Sequence, residues 1–486
     1  MSKNIELIKN LEPKEVFRYF AEISDIPRGS GNTDNISNYL VNFAIKNNLK
    51  YRKDKNQNVI IIKETTNKKK STIALQAHID MVCVKAEDST KDMAKEGIDF
   101  VVDGDWLKAD KTTLGADDGI GMAIILAMLS DKTEYEREIV GIFTNDEEIG
   151  LIGAHKIDLS NIDIKYLINI DHEDFDIIDV GCAGGTQLGF ERKCKLVNIP
   201  SGILLNLSVD GLIGGHSGME ITKNHANANK ILAKVLYNAL NKIQFNLVNI
   251  NGGSFNNAIP NVGYAQIIIT SDIADRDIIR IFNTLIAEEL ISYEDNEPDL
   301  NIIFDFGYND NPINSLSKED SKEILGVLCD LPDGLIATFE DKPEVAETSL
   351  NLGVLRTKGK NVYIEFLVRS NVNEKRESLN NEVIDIAAKY QFAKVIDDSY
   401  PAWEYKDTKL EKIVSELYEK LFSKKPIVEI THAGLECGIL LEKMKDTEAI
   451  AIGPTIVGAH TTEERLKIDK VGECHKLVVE LIKGLA

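Results

Sequence analysis

Apolar positions recur at helical spacing in two early stretches of this 486-residue chain, "PKEVFRYFAEISDI" and "NTDNISNYLVNFAIKNNL". The second opens on residues suited to capping a helix. The pattern then tightens into short apolar runs, "NVIIIKE", "STIALQAHID", "REIVGIFTND" and "KYLINID", with the apolar helix "DGIGMAIILAMLSD" among them. Short buried strands alternating with helices predict an α/β domain, its sheet covered on both faces. Sites in such sheets form outside the carboxyl ends of the strands. Three of these runs end in aspartate, one of them two residues after a histidine.

The pattern changes after "GCAGGTQLGF", where Gly181, Gly184 and Gly185 predict a hinge. From about residue 187 it becomes two rounds of strand, helix, strand, strand, helix. The first runs from "GILLNLSVDGL" to "DIIRIFNTLIAEEL", the second from "LNIIFDFGY" to "SLNNEVIDIAAKY". Element order rather than residue identity carries this repeat. It predicts two similar α+β units sharing a sheet. The chain then resumes the alternation of its first third: "KLEKIVSELYEKLF" predicts an amphipathic helix, "KPIVEIT" and "EAIAIGPTI" strands, and "TEERLKIDKVGECHKLVVELIKGL" a closing helix. The expected organisation is a first domain split between residues 1–186 and 399–486, with residues 187–398 inserted into it.

A chain of this length exceeds a single core, in keeping with that division. The net charge of −22 argues against nucleic acid as a partner, because phosphate binding needs a basic footprint. The opening "MSKNIELIKNLEPKEVF" lacks the apolar core of a signal peptide, and no apolar run is long enough to span a bilayer. Six cysteines are scattered without metal-type spacing, as reduced cytoplasmic thiols would be. A cytoplasmic protein without a membrane partner is expected.

The candidate chemistry lies at the predicted strand ends. His78 and Asp80 in "ALQAHIDMV" are two apart, so both can face one way. "TTLGADDGIGMAIILAM" places Asp117 and Asp118 before a helix, where one aspartate is an ordinary cap and the second needs another reason. "IFTNDEEIG" ends a strand in Glu147 and Glu148, neighbours that must point in different directions. Asp171 ends "YLINID", with His172 beside it as a competing ligand candidate, and "GPTIVGAHTTEERL" carries His460 in a glycine-rich loop before a helix. Each piece alone is weak. Together they supply two imidazoles and several carboxylates, N/O donors that suit zinc and also manganese or cobalt. Two metals roughly 3.5–4 Å apart polarise a carbonyl and generate hydroxide near neutral pH. Such a pair needs a bridging carboxylate, terminal ligands on each side and a free carboxylate to take a proton.

In order and separation, "HID", "GADDGIGMA", "NDEEIGLIGA", "INID" and "GAHTTEERL" resemble the dinuclear zinc aminopeptidase-like hydrolases, which include carboxypeptidase G, aminoacylase and the tripeptidases. "GGHSGMEI", "NNAIPNVG", "HAGLECGIL" and the doubled middle region extend the resemblance over nearly the whole chain, most closely to the aminoacyl-histidine dipeptidase branch. The fold so implied is a catalytic domain with a mainly parallel sheet between helices, plus an inserted α+β lid domain. The resemblance implies His78 and Asp171 on one metal, Glu148 and His460 on the other, and Asp117 bridging, with a cis peptide at Asp117–Asp118. It makes Glu147 the general base, and Asp80 the group that orients His78. His216 would stabilise the oxyanion. Asn257 and Arg369 would bind the substrate carboxylate, and Glu436 would meet its amino end. His155, His172, His225, His432 and His475 are read as non-catalytic.

The expected protein is thus a metallo-dipeptidase holding two divalent ions, Zn2+ first and Co2+ or Mn2+ as alternatives. A metal-derived hydroxide would attack unblocked L-dipeptides, including Xaa-His such as carnosine. Other readings of the same residues are an N-acyl-amino-acid deacylase, an aminotripeptidase, or a peptide-binding protein without catalysis. The resemblance also implies a homodimer.

Overall fold

The computed structural model describes residues 3–485. They gather into two compact units. One takes the chain up to Cys182, Tyr405–Ile430 and the chain from Leu435; the other takes Ala183–Glu404 and Thr431–Gly434. The sequence pattern expects crossings at 186/187 and 398/399, and the contacts divide the chain a few residues away, at 182/183 and 404/405. Strand Gly184–Lys193, which begins just past the first crossing, pairs within the second unit's sheet along its length. The short excursion 431–434 leaves no mark in the hydrophobic pattern.

In the first unit eight strands form one sheet. Its centre is parallel: Ile139–Thr144, Ile73–His78, Tyr166–Asn169 and Glu448–Ala451 lie side by side in that order. All six residues of Ile73–His78 and of Ile139–Thr144 are buried. Coverage on both faces is why these strands read as continuous apolar runs rather than alternating ones. Lys50–Lys53 and Val59–Lys63 extend one side antiparallel, while Ile177–Cys182 and then Ile427–Thr431 extend the other. Glu448–Ala451 sits inside the sheet although it comes from the last segment, so the sheet is complete only once the chain has returned.

Helix Ala116–Ser130 is apolar on all sides because it is enclosed, packing on Ile73–His78 and on helix Lys14–Ser24. Gly121 is required there. A Cβ at that position would lie 2.2 Å from the Ile170 carbonyl oxygen, so glycine lets the helix start lie against the chain leaving strand Tyr166–Asn169. Leu75, Ile125, Ile139 and Phe143 belong to the core between helix and sheet.

A small antiparallel sheet orders Ile456–Val457, Arg465–Lys467, Trp106–Ala109 and Phe100–Asp103. His460 therefore lies in a hairpin loop, not in a loop running into a helix. The expected closing helix begins at Ile468 rather than near Thr462. Arg465–Lys467 pair with Trp106–Lys108, and the preceding Glu464 is buried in the turn before helix Ala116–Ser130.

The second unit has a nine-stranded sheet. Its order is Asn301–Asn309, Gly202–Asp210, Gly263–Ile269, Phe245–Gly252, Ala346–Lys358, Asn361–Ser370, Gly184–Lys193 and Ala393–Tyr400, with Gly334–Thr338 beside Ala346–Lys358. The two sequence rounds share this sheet and interleave: the strand opening the second round pairs with the strand opening the first, in an antiparallel ladder. Helices Ala228–Leu240, Asp275–Tyr293, Lys318–Asp330 and Asn373–Lys389 pack on it and on one another. Among the described residues no helix is long and apolar enough to cross a membrane.

Candidate metal centre

The chemistry of the first unit gathers where its parallel strands end. His78 is the last residue of its strand and is buried. Its Nε2 lies 2.9 Å from Asp117 Oδ1 and 3.5 Å from Asp171 Oδ1, and its Nδ1 lies 3.4 Å from Asp80 Oδ1. The fully buried Asp80 does more than face the imidazole. Its Oδ1 accepts the backbone N–H of Glu147 at 3.0 Å, and its Oδ2 accepts that of Glu148 at 3.3 Å and the Ser30 hydroxyl at 2.7 Å. One carboxylate thus lies beside the imidazole and holds the backbone carrying the glutamate pair.

On the other side of Asp117, His460 Nε2 lies 2.9 Å from Asp117 Oδ2 and 3.0 Å from Glu148 Oε1. The two oxygens of Asp117 therefore serve two different histidines. Potential ligand atoms of His78, Asp117 and Asp171 lie within 4.8 Å of one another, as do those of Asp117, Glu148 and His460. His78, Glu147 and Glu148 form a third such set, so Glu147 stands beside the centre. The Asp117–Asp118 peptide is cis, where the resemblance puts one.

The turn presenting Asp117 is held from behind. The buried Glu464 carboxylate accepts the backbone N–H groups of Leu114 (2.7 Å), Gly115 (3.0 Å), Ala116 (2.7 Å) and Asp117 (3.4 Å). Arg28, also buried, donates to the carbonyls of Ile79 (3.1 Å), Asp80 (2.6 Å) and Gly115, tying the two loops together. Neither residue stands out in the sequence. The signal for Glu464 is present in "TTEERL", where an expected helix start accounts for an acid without burying it.

Convergence of so many acids shapes the electrostatics. Burial by itself would lower the His78 pKa, but Asp171, Asp117 and Asp80 outweigh it and hold it well above the ordinary imidazole value. Hydrogen bonds to Asp117 and Glu148 raise His460 to about 11. Burial would raise Asp117, and the hydrogen bonds of His460 and His78 more than reverse this. Burial pushes Asp171 up to about 6 and Glu147 well above the usual carboxylate range. Each imidazole is thus drawn toward a cationic state between carboxylates. That is the setting a divalent ion would meet, and imidazole with carboxylate is a donor set zinc-type ions accept. Asp117 between two such sets has the form of a bridging ligand. The residues present fit a dinuclear centre.

Glu436 has no exposed surface; its Oε2 accepts from Gln76 Nε2 and Thr144 Oγ1, both at 2.6 Å. Its Oε1 has no hydrogen-bond partner, and burial raises its pKa to about 7.

The remaining expected residues lie in the second unit. Gly215–His216 pairs with Ala258–Ile259, and the Ser217 N–H donates to the Asn257 carbonyl at 2.9 Å. The motifs "GGHSGMEI" and "NNAIPNVG" are therefore the two strands of one ribbon. Arg369 is 4% exposed; its Nη1 donates to the Tyr400 hydroxyl at 3.2 Å, and its Nε has no partner. His432 lies among these groups, bonded to Ser349 Oγ at 2.8 Å and Asn371 Oδ1 at 2.7 Å. Burial first, then the charges of Arg369 and His216, lower its pKa to about 3.

Over 485 residues the chain is 33% identical to the cytosol non-specific dipeptidase of Escherichia coli (strain K12), covering 98% of this chain and 99% of that one. The crystal structure of aminoacylhistidine dipeptidase from Vibrio alginolyticus superposes with a TM-score of 0.86 at 30% identity, covering 99% and 98% of the two chains. A tripeptidase from Staphylococcus aureus shares the fold at 16% identity, with a TM-score of 0.55 and coverage of 97% and 98%. Residues 74–484 match the family described as peptidase family M20/M25/M40, and with the centre they enclose they make this chain a member of that family.

Proposed function

We propose that the protein hydrolyses unblocked L-dipeptides in a metal-dependent reaction, taking Xaa-His peptides such as carnosine among its substrates. The observation that carries this reading is the Asp117 carboxylate, with one oxygen toward His78 and the other toward His460. The names of the two full-length relatives support dipeptides as the substrate class, and "cytosol" in one of them supports a cytoplasmic location.

His78 and Asp171 would hold one divalent ion, Glu148 and His460 the other, with Asp117 between them; the donor set favours Zn2+, with Co2+ or Mn2+ as substitutes. When bound, such a pair supplies Lewis acidity that polarises a carbonyl and acidifies water. Glu147 takes a proton from the attacking water as its oxygen bonds to the peptide carbonyl carbon. The same carboxyl gives that proton to the departing nitrogen as the C–N bond breaks. Asp80 keeps His78 turned and the Glu147 backbone fixed throughout. His216 donates toward the developing oxyanion. Asn257 and Arg369 bind the substrate carboxylate, a role supported by the unpartnered Nε of a buried guanidinium. Glu436, enclosed beneath the strand ends, would act toward the substrate's amino end through its field.

The test is release of free amino acid from a panel of dipeptides, tripeptides and N-acyl amino acids, before and after chelation and after adding back Zn2+, Co2+ or Mn2+. Metal-dependent turnover of dipeptides is expected. Preference for N-acyl amino acids or tripeptides would shift the reading to a deacylase or aminotripeptidase. Peptide binding without turnover under every metal would make the protein a receptor.

A further inference from the structure

A second cluster of donors lies in the first unit, outside the centre just described. His172 Nε2 is 3.2 Å from Asp179 Oδ2, and potential ligand atoms of His172, Asp179 and Glu429 lie within 4.8 Å of one another. Asp179 belongs to strand Ile177–Cys182 and Glu429 to its sheet neighbour Ile427–Thr431. Asp179 is 1% exposed, yet its Oδ1 has no hydrogen-bond partner. A buried carboxylate oxygen left without a partner costs free energy unless something satisfies it. Among the described residues, neither Asp179 nor Glu429 has a lysine or arginine ion-pair partner. Among the described residues, the His172 ring is the one basic side chain within ion-pair distance of Asp179.

That ring is held as a metal-binding imidazole commonly is. Its Nδ1 lies 3.0 Å from the Asp174 carbonyl oxygen, so an Nδ1–H donated there leaves the Nε2 lone pair facing Asp179. The Asp174 N–H, 2.9 Å from the same nitrogen, permits the other tautomer, with the proton on Nε2 shared with Asp179. The backbone of His172 is clamped as well. Its N–H donates to the Ile452 carbonyl at 3.3 Å, and Gly453 packs so closely that a Cβ there would lie 1.8 Å from the His172 carbonyl oxygen. The three donors come from separate parts of the chain onto one sheet edge, and His172 and Glu429 are only partly buried, which leaves a path for an ion.

We propose that His172, Asp179 and Glu429 bind a further divalent ion of the zinc type, separate from the pair at Asp117. One imidazole and two carboxylates suit such an ion better than magnesium, which favours oxygen alone. The site is a clip rather than a reaction centre. Asp179 lies just before the crossing at 182/183 and Glu429 just before the one at 430/431, so the ion pins together the two strands that carry the chain out of the first unit.

The test uses the full chain, stripped with chelator, refilled with Zn2+ alone and dialysed, with metal per chain measured by mass spectrometry. Wild type is expected to hold one ion more than Glu429→Gln or Asp179→Asn. In an Asp117→Asn, His460→Ala background one ion should remain, and Zn2+ should still raise the melting temperature until Glu429→Gln is added. Equal metal content in wild type and Glu429→Gln, whatever the total, overturns the proposal and leaves a histidine sharing a proton with an acid. Should Asp179→Asn not fold, the partly exposed Glu429 and His172→Ala give the same reading. A total below two in folded Glu429→Gln would count against the pair at Asp117 and not against this site.

Discussion

His78 and His432 are both buried histidines, and their surroundings drive them in opposite directions. In the first unit three aspartates surround His78 and hold its pKa well above the ordinary value. In the second, His432 meets a serine and an asparagine, with Arg369 and His216 nearby, and falls to about 3. Burial works against the charged imidazole in both places. What differs is the sign of the neighbours. One unit concentrates carboxylates around imidazoles; the other sets the charges of Arg369 and His216 near a neutral imidazole.

The contrast breaks first, and by the largest factor, at the glutamate pair. Glu147→Gln should cut kcat by about 10²–10⁴ while metal content stays at the wild-type level, whereas Glu148→Gln should lose metal. Turnover and metal analysis on the same preparations decide it. The opposite pattern would exchange the two roles.

Next comes Glu464, which lies outside both clusters and supports only one of them. Glu464→Ala strands four backbone N–H groups and should destabilise the chelated protein by about 4 kcal/mol, read by urea unfolding. A change below 1 kcal/mol (about the contribution of one ordinary hydrogen bond) would mean that the turn holds itself.

Glu436 tests the electrostatics by pH. Its folded pKa of about 7 exceeds the ordinary 4.5. Between those values the folded chain keeps a proton that the unfolded chain releases, so stability falls as pH rises through the window and levels off above it. In chelated protein Glu436→Gln should therefore match wild type near pH 4.5 and exceed it by up to about 3 kcal/mol above pH 7. A pH-independent difference in unfolding free energy would refute this. The smallest effect belongs to the second unit: Arg369→Lys keeps the charge but loses the planar fork, and should raise KM about tenfold with metal content unchanged.

Legibility in the sequence follows the same division. Strands buried on both faces appear as apolar runs, and the residues at their ends can be singled out because histidine and acids interrupt that pattern. The alternation of strands and helices in the second unit is equally plain. The crossed pairing of Asn301–Asn309 with Gly202–Asp210 is not, because strand order in a sheet is set by packing that no local period records. Glu464 and Arg28 stay hidden for a related reason. Each is a charged residue in polar surroundings in sequence and a buried one in space, and only the backbone groups it satisfies reveal it. The 431–434 excursion is too short to carry any period at all.

Asp80 touches the His78 ring with one oxygen and grips the Glu147–Glu148 backbone with both. A substitution at position 80 therefore cannot be read as the loss of one interaction. Ligand geometry and proton transfer would drift together, and a double-mutant cycle between positions 80 and 147 should be strongly non-additive. Kinetic data on such a variant describe a shared hinge pin, and apportioning the loss between metal binding and chemistry requires varying Glu147 and His78 separately beneath it.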